Sequence, residues 1–291
     1  MKIKACAKIN LALDVTGRLD NGYHLIESVF QSVGLFDEID VELTEGGIGL
    51  TCELPYIFAE ADPIPCDERN IAWKAAALFF EESGLPGGCR IAINKGIPSQ
   101  AGMGGGSTDA AGVLYCLNQL KGSPFSHEEL CAMGKKLGAD VPFALTGGTA
   151  YVGGIGEKIE PLPSYAERIL VIGKGSQGVS TAEAYRAVDS LAAPAHPETG
   201  KLRRALENAP DEAHRYFGNL FEKAVALEEV EHLKNTMLAE GAASSCMTGS
   251  GSAVFGLFNS REKACACAEI LRSQGFFSQV CTTTDRAFYI S

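Results

Sequence analysis

The chain has 291 residues, of which 46% are apolar and 21% charged, with a formal net charge of -11. That is enough apolar material for packed cores, and the length suggests about two domains. The acidic balance, with no run of clustered Lys and Arg, argues against the basic footprint that nucleic-acid binding needs. The ten cysteines form no C-x-x-C pair, so they read as reduced, small core residues of a cytoplasmic protein rather than as zinc ligands. Residues 1–10 are too short and too charged for a signal peptide, and no uncharged apolar run approaches the roughly 20 residues of a membrane span.

In chain order, residues 1–15 read as a strand rich in Ile, Ala and Val. Residues 38–43 alternate, with Ile39, Val41 and Leu43 on one side and Glu38, Asp40 and Glu42 on the other, which predicts a half-buried strand. Gly46-Gly47 marks a turn. Asn70 is placed to cap a helix from Ile71 to about Ser83, ended by Gly84 and Pro86. Residues 89–94 alternate again. A glycine-rich stretch, 98–111, leads into a helix over 110–120. Ser126-x-x-Glu129 is a capping box for a helix ending near Gly138, and residues 149–152 read as a short strand. Residues 51–66 give no clear signal.

The second half begins with an apolar strand at 168–172. Ser180-x-x-Glu183 opens a helix to about Leu191, followed by a Pro-rich loop over 192–200 and helices through Met237. Residues 253–258 read as strand, 261–273 as helix, and 277–282 and 287–290 as strands. Helices and strands mix in both halves, which predicts an α+β fold of two domains, 1–160 and 161–291.

The most informative segment is Gly102-Met103-Gly104-Gly105-Gly106-Ser107. Glycines let backbone N–H groups approach a ligand closely, and a helix start adds unpaired donors and a positive dipole end. Together these make a phosphate site, with hydroxyls of Ser107 and Thr108 in reach of phosphate or magnesium. The segment is not a Walker A loop, because no G-x-x-x-x-G-K-[ST] occurs, and not a protein-kinase loop, because H-R-D and D-F-G are missing. A rival, Gly173-Lys174-Gly175-Ser176-Gln177-Gly178, matches the dinucleotide pattern and would suit a nicotinamide enzyme. It lacks a following second strand ending in Asp or Glu. A third cluster, Thr248-Gly249-Ser250-Gly251-Ser252, precedes the 253–258 strand.

Three segments resemble the GHMP small-molecule kinases in the right order. Ala7-Lys8-Ile9-Asn10-Leu11 is similar to their first motif, residues 98–111 to their phosphate loop, and residues 248–252 to their third motif. Gly22-Tyr23-His24-x-Ile26 and Gly138-Ala139-Asp140-Val141-Pro142-Phe143 resemble the branch acting on a methylerythritol that carries a cytidine diphosphate group. Met103 stands where the family usually has Leu, and Thr108 where it has a second Ser.

The resemblance implies a two-domain GHMP-kinase-like fold with the active site in the cleft between domains, ATP and Mg2+ as cofactors, and a small-molecule substrate. It implies ATP contacts from Pro98, Ser99, Gln100, Ala101, Gly102, Met103, Gly104, Gly105, Gly106, Ser107 and Thr108, with Ser107 also a metal ligand. It implies that Asp140 approaches the substrate hydroxyl, where it can take the proton, and that Lys8, a cation in an apolar strand, orients it and offsets phosphoryl charge. Asn10, Tyr23, His24, Thr181 and Tyr185 join Asp140 as substrate contacts, the aromatics flanking the cytosine. Asp109 reads as favourable charge in the first turn of the loop helix. The alternatives are a kinase of the same superfamily acting on mevalonate, homoserine or a sugar, a nicotinamide enzyme, and a nucleotide-binding regulator without catalysis.

Overall fold

The computed structural model describes residues 1–54, 64–192 and 195–290. Part of the 51–66 stretch, and Ala193 and Pro194 of the Pro-rich loop, lie outside the described residues. Two long antiparallel strands, β1 (Lys2–Arg18) and β2 (His24–Thr44), form the spine. Their register shifts between Cys6 and Ala7, between Asn10 and Ala12, and between Val15 and Gly17. Such irregularities bend a strand and re-aim its side chains. The sequence shows only the last third of β2, because residues 26–35 are covered on both faces and so do not alternate. At the far end Ile39 and Val41 are fully buried, but Leu43, expected on the same face, is 40% exposed where the strand leaves the core.

The first sheet continues through β3 (Ile48–Glu53) and β4 (Gly88–Asn94). Strand β4 pairs antiparallel with β2 and parallel with β3. Helix α1 (Ile71–Ser83) starts where the Asn70 side chain accepts from the Ala72 amide, and Gly84 closes it in the left-handed region. Helix α2 (Gly105–Leu120) begins five residues before the predicted start, inside the glycine run. Helices α3 (His127–Leu137) and α4 (Val141–Thr146) follow, then β5 (Thr149–Gly153) on β2 and β6 (Lys158–Pro161) on β5. Phe79 of α1 and Val113 and Leu117 of α2 pack with Ile3, Ile39, Val41 and Ile91 of the sheet.

The second half supplies β7 (Ile169–Lys174), α5 (Thr181–Asp189), α6 (Thr199–Asn208), a 3-10 turn at Pro210–Tyr216, β8 (Gly218–Asn219), α7 (Phe221–Val225) and α8 (Glu228–Ala239). It ends with β9 (Ser244–Met247), β10 (Val254–Phe258), α9 (Arg261–Ser273), β11 (Phe277–Thr282) and β12 (Phe288–Ile290). A four-stranded antiparallel sheet runs β11-β7-β10-β9. Leu233 and Met237 of α8 and Leu271 of α9 are buried with Val171 and Val254 of that sheet. Strands β8 and β12 instead join the first sheet beside β1.

All ten cysteines are free. Burial pushes the Cys6 and Cys116 thiols up to about 12, which suits core residues rather than nucleophiles. Among the described residues, no helix is long and apolar enough to cross a membrane.

The capping box of α3 is complete: Glu129 N donates to Ser126 Oγ at 3.3 Å and Ser126 N to Glu129 Oε2 at 2.8 Å. Ser126→Ala is expected to lower the unfolding free energy by about 1 kcal/mol. Urea denaturation checks this, and an unchanged midpoint would contradict it.

Candidate active site

A cleft of about 790 Å³ takes its walls from β1, β2, the glycine loop, the start of α2, Asp140, α5, α7 and residues 249–251. The glycine loop is shaped by three left-handed residues at alternate positions, with φ of 48° at Gln100, 71° at Gly102 and 73° at Gly104. Residues 248–253 press directly against it. A Cβ on Gly102 would lie 2.2 Å from the Thr248 carbonyl oxygen, and one on Gly249 would lie 2.5 Å from the Gly102 carbonyl oxygen. Only glycine permits this approach, which explains why two glycine clusters far apart in sequence are needed. Ala253 N donates to Ala101 O at 3.2 Å and Ser252 N to Gln100 O at 3.3 Å, so the contact is also hydrogen-bonded.

The loop ends in α2, whose cap residue Gly104 offers no side-chain acceptor to the first turn. The leading N–H groups of a helix have no intrahelical partner, and the dipole is positive at this end. The site is therefore built for an anion. Ser99, Gln100 and Gly102–Gly106 line the cleft. Ser107 is half-buried beside Gly138. Thr108 is buried, its hydroxyl donating to Cys6 O at 3.2 Å, and is not among the lining residues.

Lys8 and Asp140 face each other under the loop. Lys8 Nζ is 3.5 Å from Asp140 Oδ2, donates to Asn10 Oδ1 at 2.8 Å, and sits 4.5 Å from the centre of the Phe30 ring. Lys8 is 7% exposed, so its charge is held by these partners rather than by water. A Cβ on Gly104 would be 3.2 Å from Lys8 Cγ and 3.7 Å from Asp140 Oδ2, so the loop backbone is within reach of both. Asn10 is engaged throughout. Its Oδ1 also accepts from Gly249 N at 3.0 Å and Thr248 Oγ1 at 3.2 Å, and its Nδ2 donates to Ser28 Oγ at 2.9 Å. It thus joins β1, the Lys8 ammonium and the 248–252 loop.

At the other end of the cleft, Tyr185 stacks on His24, with ring centroids 4.5 Å apart and planes at 18°, and meets Phe221 edge-on at 5.0 Å. Burial, with the nearby Asp140 charge, pushes the Tyr185 hydroxyl up to about 12. Tyr23, next to His24, is 60% exposed. Thr181 Oγ1 is 3.4 Å from Ser250 Oγ. Sequence reading missed Asp189, whose Oδ1 accepts from His24 Nε2 at 2.7 Å and whose Oδ2 accepts from Arg18 at 3.0 Å. Its spacing of four residues from Tyr185 was a usable signal, since i and i+4 share a helix face.

The structure excludes the dinucleotide reading of residues 173–178. The strand before them, β7, lies in an antiparallel sheet, whereas that motif needs a parallel β-α-β unit. The loop is tied down instead: Ser176 Oγ donates to Glu229 Oε1 at 2.9 Å and Gln177 N to Glu229 Oε2 at 3.1 Å.

Residues 70–148 match the family described as GHMP kinases N terminal domain, and residues 199–276 match GHMP kinases C terminal. The chain is 42% identical over 277 residues to a 4-diphosphocytidyl-2-C-methyl-D-erythritol kinase of Clostridium botulinum, covering 94% of this chain and 96% of that protein. The corresponding protein of Clostridium beijerinckii is 40% identical over 279 residues, covering 94% of this chain and 96% of that protein. A crystal structure of a 4-(cytidine 5'-diphospho)-2C-methyl-D-erythritol kinase superposes with a TM-score of 0.81 at 33% identity, over 97% of this chain and 99% of that one. A homoserine kinase from Cytophaga hutchinsonii, 20% identical, shares the fold at a TM-score of 0.77, over 99% of this chain and 96% of that one. The chain belongs to the GHMP kinases and, within them, to the 4-diphosphocytidyl-2-C-methyl-D-erythritol kinase family. It is an ATP-dependent small-molecule kinase with a mixed, two-domain GHMP fold.

Gly102→Ala places a methyl group into the Thr248 carbonyl at a positive φ. The variant is expected to lose about 1–3 kcal/mol of stability and to raise the KM for ATP. Thermal unfolding and steady-state kinetics with varied ATP check this; a variant with wild-type values for both would contradict the close approach.

Proposed function

We propose that this chain transfers the γ-phosphoryl group of ATP to a hydroxyl of 4-diphosphocytidyl-2-C-methyl-D-erythritol, a step in non-mevalonate isoprenoid precursor synthesis. The observation that carries this reading is the Lys8–Asp140 pair, 3.5 Å apart and directly beneath the glycine loop, in a chain about 40% identical to kinases named for that substrate.

The triphosphate lies along the loop amides and the start of α2, with residues 98–107 as its cradle. Asp140 faces the acceptor hydroxyl and takes its proton. The Lys8 ammonium orients Asp140 and offsets charge on the transferring group. Phosphoryl transfer needs positioning and charge stabilisation more than a strong base, which suits a pair sharing the task. The cytosine is held beside the stacked His24–Tyr185 pair, whose 4.5 Å spacing leaves no room for a base between the two rings, with the exposed Tyr23 next to it as the stacking face, and with Thr181 and Asn10 toward the rest of the acceptor. Asp189 fixes the His24 ring by accepting from Nε2.

Mg2+ accompanies ATP. Among the described residues no cluster of three or more His, Cys, Asp or Glu could hold a metal by itself. Ser107, half-buried beside Gly138 and not among the residues that line the cleft, would offer one hydroxyl, a hard oxygen, which suits a cation held mainly by phosphate and water. When bound, it neutralises charge on the β and γ phosphates. The same reading keeps the division into an ATP-binding unit at 1–160 and a second unit at 161–291, and a cytoplasmic location.

The test is turnover of ATP with the diphosphocytidyl-methylerythritol substrate and magnesium. Wild type is expected to turn over. Asp140→Asn and Lys8→Ala are each expected to lower kcat by about 10²–10⁴-fold, and Tyr185→Ala to raise the acceptor KM by about 10-fold with a smaller change in kcat. Turnover with mevalonate or homoserine but not with this substrate would contradict the choice of acceptor. Full activity in the Asp140 and Lys8 variants would contradict the assignment of their roles.

A further inference from the structure

Beside the glycine loop, with Lys95 and Asp109 lining the same cleft, lies a charge cluster that the proposed chemistry does not use. Lys95 follows β4, Asp37 lies on β2, and Asp109 is the fifth residue of α2, beyond the first turn where its sequence position suggested a dipole contact. All three are buried, at 3%, 0% and 4% exposure. The Lys95 ammonium donates to Asp37 Oδ2 and, at 2.6 Å, to Asp109 Oδ2. Asp37 Oδ1 accepts from the Gly96 and Ile97 amides, both at 2.8 Å. Asp109 Oδ1 is buried with no hydrogen-bond partner among the described residues.

Gly96 and Ile97 lead straight into the glycine loop at Pro98. Asp109 belongs to the helix that the loop enters. The ammonium itself packs against that helix start, since a Cβ on Gly105 would lie 3.4 Å from Lys95 Nζ. One cation therefore ties the strand exit to the helix entry, fixing both ends of the loop. We propose that Lys95, Asp37 and Asp109 form a positioning clamp for the phosphate loop, holding its backbone amides in place before ATP arrives. A preorganised loop binds anions more tightly, because ordering it is not charged to the ligand. A buried ion pair is poor evidence of stability in itself, because desolvation offsets the attraction. A positioning role gives such a costly arrangement a reason. Burial pushes the Asp109 carboxyl well above the usual carboxylate range, against the opposing pull of Lys95. Burial alone would lower Lys95, but the two carboxylates hold it above the ordinary lysine value, so it stays a cation.

The two aspartates are predicted to differ. Both oxygens of Asp37 accept bonds from donors, so Asp37→Asn must turn an amide NH2 toward either Lys95 or the Gly96 and Ile97 amides. Asp109 has an unpartnered oxygen, so Asp109→Asn can keep its oxygen on Lys95 and place the NH2 where nothing is opposed.

The proposal rests on the loop being the ATP site, so the test has one arm that does not. In the nucleotide-free full chain, Lys95→Met and Asp37→Asn are expected to speed amide hydrogen exchange over residues 99–106 by about 10-fold or more, while the β7–β11 sheet keeps its wild-type protection. In kinetics, both are expected to raise the KM for ATP by about 10-fold while the acceptor KM stays within about twofold. Asp109→Asn, which keeps an oxygen for Lys95, is expected to raise the KM for ATP by less than Asp37→Asn does. Should Lys95→Met not fold, Asp37→Asn decides. Wild-type loop exchange in the folded variants, equal rises in both KM values, or a loss at Asp109→Asn as large as at Asp37→Asn would each overturn the clamp. A wild type that does not bind ATP would sink the kinase reading, and the exchange arm would still judge the clamp.

Discussion

The structure depends on the meeting of two glycine-rich backbones. Gly102 and Gly249 approach so closely that neither has room for a Cβ, and hydrogen bonds from residues 252 and 253 hold the two loops together. The contact joins a loop of the first sheet to a loop of the second. It fixes the backbone that faces the anion, and it sets the height of that backbone over Lys8 and Asp140. Asn10 extends the same joint: its side chain accepts from Gly249 N and Lys8 Nζ together. The loop's position and the ammonium's position are thus linked through one amide side chain.

This arrangement explains how an acidic chain can hold a polyanion. The overall field of a protein with net charge -11 does not favour one. The attraction is local, from the helix start, the converging loop amides and the Lys8 ammonium. Lys95 lines the same cleft, but its charge is engaged by two carboxylates, and its proposed part is to shape the loop rather than to meet phosphate.

Much of the fold was legible where signals are local. Asn70 and Gly84 bound α1, and Ser126 with Glu129 opens α3, as expected, because caps act within a turn of the residue that makes them. The long body of β2 was not legible, since a strand buried on both faces has no alternation to read. Nor was α4, six residues of apolar sequence too short to show a helical period. The same divide runs through the site. The glycine loop and Lys8 stood out as residue types in odd settings, and Asp140 through the family resemblance of residues 138–143. The Lys95 cluster did not, because its partners come from positions 58 and 14 residues away, and Asp109 alone looks like an ordinary helix residue. Asn10 drew notice as a ligand contact, while its full set of bonds to the third glycine cluster exists only in the folded chain.

The central claim is that Lys8 and Asp140 act as one unit beneath the phosphate loop. A double-mutant cycle on kcat with Lys8→Ala, Asp140→Asn and the double variant tests it most directly. If the pair shares one task, the double variant loses about as much as the worse single variant, the strong non-additivity seen when residues act together. If the two losses simply multiply, the residues act independently and the account is contradicted.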